Sequence, residues 1–124
     1  MSRPDERERA TELLAQLHHE MDTDNRVLKG LADRGDDPAL PHAVEHHFLA
    51  SSEAVLQQLA AFGQRLGFTP SDIAAEDGRG VYSCNLVSQT PISPPRVHRE
   101  SLLMRFLALA HGADYDGWGT YVEK

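Results

Sequence analysis

Two stretches of this 124-residue chain carry strand signals amid helical stripes, and their order leaves few folds open. His42–Leu49 holds Val44, Phe48 and Leu49 between Pro41 and Ser51-Ser52, with no helix caps, which predicts a short strand. Val81–Ser88 alternates and is rich in β-formers, which predicts another. Between them a helix is expected to start at Ser51 or Ser52, run through Val55, Leu56, Leu59, Ala60 and Leu66, and stop at Gly67. Phe68–Ile73 reads as a weak strand, and Pro70 puts it at a sheet edge because proline cannot donate to a ladder. Glu76-Asp77-Gly78-Arg79-Gly80 turns the chain back, so this strand and Val81–Ser88 form a hairpin.

After the loop Pro91–Pro95, Ser93 and Pro94 supply an N-cap and first-turn proline for a helix whose face is Leu102, Leu103, Phe106, Leu109 and Ala110, ended by Gly112. Tyr115–Val122 is the last strand. The order β, α, β, β, α, β is the split βαβ, ferredoxin-like α+β pattern: a four-stranded antiparallel sheet, helices on one face, first and third strands central. Ahead of it, Ala10, Leu13, Leu14, Leu17 and Met21 mark an amphipathic helix, and Val27, Leu28 and Leu31 resume the stripe until Gly35. Asp22-Thr23-Asp24-Asn25 either breaks that stripe or is a wet turn, so one or two N-terminal helices precede the sheet domain.

Composition narrows the function. Nineteen acidic against twelve basic side chains give a net charge of −7, a field that repels phosphate backbones and argues against direct nucleic-acid binding. No apolar run approaches the roughly 20 residues needed to span a bilayer, and no apolar stretch follows the charged N-terminus. With the single Cys84, this points to a reducing cytoplasm and no membrane partner.

The seven histidines do not read as a metal centre. His46 and His47 point to opposite faces of a strand, and His42 stands about 13 Å from His46. There is no HExxH, CxxC or G-x-S-x-G pattern, so no metal, cofactor or catalytic residue is assigned, and Cys84 is read as core. On the first strand Val44, His46 and Phe48 face the core, while Glu45 and His47 share the other face with Ser83 and Asn85. This patch reads either as a solvated sheet face, as a protein-binding platform, or as a small-molecule or catalytic site with Glu45 and His47 as an acid/base pair. The chain's only tryptophan sits between Gly117 and Gly119. If alternation holds, Asp116, Trp118, Thr120 and Val122 face one way and Tyr115 and Tyr121 the other. Trp118 then closes the core, or a bulge at either glycine turns it outward as an interface anchor.

Val44-Glu45-His46-His47-Phe48 and Tyr115-Asp116-Gly117-Trp118-Gly119-Thr120-Tyr121 resemble the RraB family, regulators of ribonuclease E activity. The resemblance runs from about Asn25 to Glu123, through Gly35–Pro38, Leu66-Gly67-Phe68 and the hairpin, and it divides the chain into an N-terminal helical extension, 1–24, and an RraB-like domain, 25–124. It implies a ferredoxin-like domain that binds ribonuclease E in its non-catalytic region and reduces RNA cleavage by contact alone. The family's enterobacterial form carries a long acidic C-terminal tail that is not among these 124 residues. Glu45, His47, Asp116, Trp118 and Tyr121 are the expected partner-binding residues, and the leucine stripe of the N-terminal helix either packs on its own domain or mediates self-association.

Overall fold

The computed structural model describes residues 4–76, 78 and 80–124. The first helix, α1 (Pro4–Asp33), is continuous for 30 residues, and Asp22–Asn25 lies within it rather than in a turn. Asp24 is buried, which explains the continuity: its carboxylate has partners on other elements and does not compete for the local backbone. The chain then enters β1 (His42–Ala50), whose residues alternate between fully and half buried along its whole length. Helix α2 (Glu53–Arg65) starts where the sequence indicates: the Ser52 hydroxyl accepts the Val55 N–H at 3.4 Å, and Gly67 leaves the helix at φ +98°.

The second strand is shorter than its sequence suggests. Pairing is confined to β2 (Thr69–Pro70) and β3 (Ala74–Ala75), both against β4 (Tyr82–Thr90). Beyond Pro70 the ladder bulges: Ser71 donates its N–H to the Asn85 carbonyl, while the Asn85 N–H turns to the Ser71 hydroxyl, both at 2.8 Å. The β3–β4 hairpin closes with Glu76 N–H to the Val81 carbonyl at 2.7 Å.

Helix α3 (Pro94–His111) begins after Ser93 and ends at Gly112, φ +73°. Here the expected face is reversed. Leu102, Leu103, Phe106 and Leu109 are exposed, and Val97, Ser101, Met104, Leu107 and Ala108 are buried. The helix is apolar around most of its circumference, so hydrophobic spacing alone does not choose its inner side. The last strand, β5 (Asp114–Gly119), ends before the expected Val122, and the chain runs on with Thr120 Oγ1 bonded to the Ala43 carbonyl at 2.8 Å.

The sheet order is β5–β1–β4–β2, with β3 also on β4, and all pairs are antiparallel. This is the ferredoxin-like arrangement with β1 and β4 central. One core cluster lies between β1, β4, α2 and α3, around Phe48, Leu56, Leu59, Leu86 and Met104. A second, built on Leu31, Val44, Ile92 and Val97, seats the C-terminal half of α1 on the same face. Among the described residues no helix packs on the opposite sheet face.

Candidate functional site: the open face of the sheet

Alternation along β1 turns Val44, His46, Phe48 and Ala50 into the core and leaves Ala43, Glu45, His47 and Leu49 half buried on the open face. Across the β1–β4 register, Glu45 lies opposite Val87, His47 opposite Asn85 and Leu49 opposite Ser83. The His47 ring is fixed there, with Nδ1–H donating to Asn85 Oδ1 at 2.7 Å. On its other side it lies beside Gly119, whose lack of a side chain leaves room for Nε2.

Strand β5 does not alternate throughout. Tyr115 pairs with Phe48 and Trp118 with His46, so two residues, Asp116 and Gly117, stand against His47. This is a β-bulge, and Gly117 at φ +93° supplies the left-handed backbone that it needs. The bulge corrects the expected facing: Tyr115 and Trp118 both turn under the helices, whereas Asp116 points to the open face, where it lines a depression of about 310 Å³ with Leu49, Val81 and Glu76. Of the five expected contact residues, Glu45, His47 and Asp116 share this face. Trp118 packs on Leu31, Val44, Ile92 and Val97 from the other side, and Tyr121, 73% exposed, lies past the end of β5.

The electrostatics of the open face follow from its residues. The five strands contain Glu45, Asp114 and Asp116 but no lysine or arginine, and exposed Glu76 adds a fourth carboxylate at the rim. This face therefore presents negative potential over an uncharged floor of Ala43, Leu49, Ser83, Asn85 and Val87.

Under the helices lie polar groups that sequence reasoning did not single out. Asp24 is their centre: Trp118 Nε1–H donates to Oδ1 at 2.7 Å, and the Ser101 hydroxyl and His98 Nδ1 donate to Oδ2 at 2.7 and 3.0 Å. An aspartate on the apolar side of α1, in line with Leu17, Leu28 and Leu31, was the available signal. His46 is also buried, with Nδ1 bonded to the Tyr115 hydroxyl at 2.8 Å and Nε2 3.1 Å from Glu100 Oε2 without hydrogen-bond alignment. Burial, reinforced by the charges of Asp24 and Glu100 and opposed by Arg105, pushes the Tyr115 phenol far above its ordinary range. Near the start of β1, His42 places Nδ1 2.6 Å from the Leu40 carbonyl and Nε2 2.6 Å from Asp36 Oδ1. Burial raises the Asp36 carboxyl, but the Glu123 N–H and His42 more than offset that, and the net effect holds it below the usual carboxylate value. Cys84 is buried at the centre of β4, and burial pushes its thiol up. Among the described residues no group of three or more His, Cys, Asp or Glu side chains is arranged to hold a metal ion, and no helix is long and apolar enough to cross a membrane.

The order of strands, the single helical layer and the uncovered acidic face define a ferredoxin-like α+β domain of the open-faced kind. The chain belongs to the RraB family, regulator of ribonuclease activity B, whose sequence model matches residues 21–120. A regulator of ribonuclease activity B from Photobacterium profundum is 31% identical over 117 residues, spanning 89% of this chain and 87% of its own. Those from Escherichia coli and Pseudoalteromonas translucida are 28% and 29% identical over 111 and 101 residues, covering 87% and 79% of this chain and 80% and 91% of theirs.

Proposed function

We propose that this protein binds ribonuclease E and lowers its RNA cleavage by contact, with no catalytic step of its own, in the cytoplasm. Membership of a family of ribonuclease-activity regulators is the observation that carries this reading. The contact surface is the open sheet face with Glu45, His47 and Asp116, flanked by exposed Tyr121, while Trp118 fixes the backbone of β5 from beneath. Its carboxylates speed encounter with a basic segment of the nuclease and set the orientation of docking, and the overall charge of −7 keeps RNA off the surface. Residues 25–124 form the binding domain in this reading, and 1–24 are an extension of it.

The depression on this face is lined by Leu49, Glu76, Val81 and Asp116 rather than by Glu45 and His47, so the geometry favours a protein partner over a small substrate held between that pair. The test is direct. Purified protein is titrated into ribonuclease E cleaving a fluorescent oligonucleotide, in parallel with a binding measurement on the two proteins. Saturable binding with a falling cleavage rate is expected. No binding and an unchanged rate would overturn the proposal, and RNA cleavage by the protein alone would replace it with an enzymatic one.

A further inference from the structure

Helix α1 is about 45 Å long at 1.5 Å per residue, whereas α3, the helix it packs against, is about 27 Å. Its residues 24–31 are seated: Asp24 and Leu31 are buried, and Val27 and Leu28 pack on the second core cluster. From residue 5 to residue 20 none is buried, and Glu20 is bonded to Arg105 of α3.

The line of residues facing the domain is Ala10, Leu14, Leu17, Met21, Asp24, Leu28 and Leu31. Its steps alternate between four and three throughout, a period of 3.5. This is the spacing of a seam that packs along another helix, not that of an isolated surface helix, whose stripe drifts with a period of 3.6. The C-terminal half of the seam is filled by the protein's own core. The N-terminal half continues the same line outside both core clusters, with Leu17 half buried, Leu14 and Met21 54% and 44% exposed and Leu13, beside the seam, 58% exposed.

The surface area agrees. A compact monomer of 13.7 kDa exposes about 6,600 Å², so the observed 8095 Å² is an excess of about 1,500 Å². Each partner in a standard stable interface contributes about 800 Å².

We infer that the free half of α1 pairs with the same segment of a second copy, as an antiparallel two-helix seam about a two-fold axis between Leu14 and Leu17. The occupied half of the seam dictates the direction. Parallel pairing would drive both domains together where each already covers its own residues 24–31, whereas antiparallel pairing sets them at opposite ends. Leu14 then faces Leu17 of the second copy, and small Ala10 faces long Met21. The closed two-fold arrangement uses up the exposed stripe and leaves the open sheet face of each copy free.

The test uses the full chain. Sedimentation equilibrium is expected to show the mass doubling as concentration rises, and Leu14→Glu and Leu17→Glu are each expected to weaken the dimer at least about a hundredfold. Because both residues lie outside the core, the circular-dichroism melting curve of the domain should hold. Phe106→Glu, on the exposed side of α3, should leave the dimer intact. For direction, nitroxide labels on Asp5→Cys should lie about 30 Å apart in the antiparallel pair, against about 10 Å in a parallel one. A monomer mass up to about 1 mM would overturn the inference. So would a dimer broken by Phe106→Glu but not by the α1 variants, or labels at the short distance. If wild type is monomeric and Leu14→Glu instead abolishes ribonuclease binding, the seam belongs to the nuclease and the inference fails while the proposed function stands.

Discussion

Trp118 donates its indole N–H to the buried carboxylate of Asp24 across 2.7 Å, joining the edge strand of the sheet to the middle of the first helix. The same carboxylate accepts from Ser101 and His98 on α3, so three elements meet at one side chain. Replacing Asp24 by alanine would leave three donors without their acceptor. A loss of about 3 kcal/mol is expected, with Asp24→Asn costing less because one amide oxygen still accepts. Urea unfolding followed by circular dichroism measures both. A cost below about 0.5 kcal/mol for the alanine variant would show that water replaces the carboxylate.

Gly63 marks the closest approach of α2 to the sheet. A Cβ there would stand 2.6 Å from one methyl of Leu86 and 2.8 Å from the other, and Leu86 is fully buried. Gly63→Ala is expected to destabilise by about 1–3 kcal/mol despite the better helix propensity of alanine. The double variant Gly63→Ala with Leu86→Val should recover part of that loss, which thermal denaturation would show.

Stability at acid pH should carry the mark of Asp36. Its native carboxyl titrates below the ordinary value, so the folded protein binds fewer protons there than the unfolded chain. The contribution is present above the unfolded value of about 3.9 and is lost as pH falls through the lower native value. Urea midpoints should therefore decline from about pH 5 downward, and Asp36→Asn should flatten that slope. Tyr115 acts at the other extreme. Its native phenol is raised, so its contribution is complete below about pH 10 and is lost as pH rises further, a trend that Tyr115→Phe should weaken.

Cys84 supplies a probe of global opening. Buried, and with its thiol shifted toward the protonated form, it is expected to react with iodoacetamide at least about a hundredfold more slowly in the native protein than in urea. Mass spectrometry of the quenched reaction gives both rates.

Charge reversal tests the contact surface. Glu45→Lys and Asp116→Lys lie on the open face outside both core clusters, so each is expected to leave the melting temperature within a few degrees while weakening ribonuclease binding about tenfold, chiefly through slower association. Surface plasmon resonance at two salt concentrations separates this from a loss of packing, because only the electrostatic part fades with ionic strength.

The elements of the fold were legible because their boundaries are written in local chemistry: Ser52 and Gly67 around α2, Pro94 and Gly112 around α3, and the alternation of β1. Facing was legible only where the pattern was one-sided. Leu102, Phe106 and Leu109 advertise a core face on α3 as strongly as the residues that are buried, and the choice is made by packing against α1 and the sheet. Asp24 was hidden for a related reason, since its polar neighbours in sequence suggest a turn and its partners at Ser101 and Trp118 lie 77 and 94 residues away. On the open face, Glu45 and His47 were brought together by alternation along β1, but alternation along β5 grouped Asp116 with Trp118, and only the bulge at Gly117 separates the two.

That bulge makes identity at Gly117 matter more than the length of the strand around it. Removing Gly117 would leave Tyr115 and Trp118 two positions apart, and regular alternation would then keep the indole and the phenol on the same side of the sheet with the pairing to β1 unshifted on either side. A side chain at Gly117 keeps the count but must take φ +93°, and relaxing that strain by giving up the bulge would turn Trp118 away from Asp24. This strand is therefore expected to tolerate the loss of its extra residue better than the replacement of it.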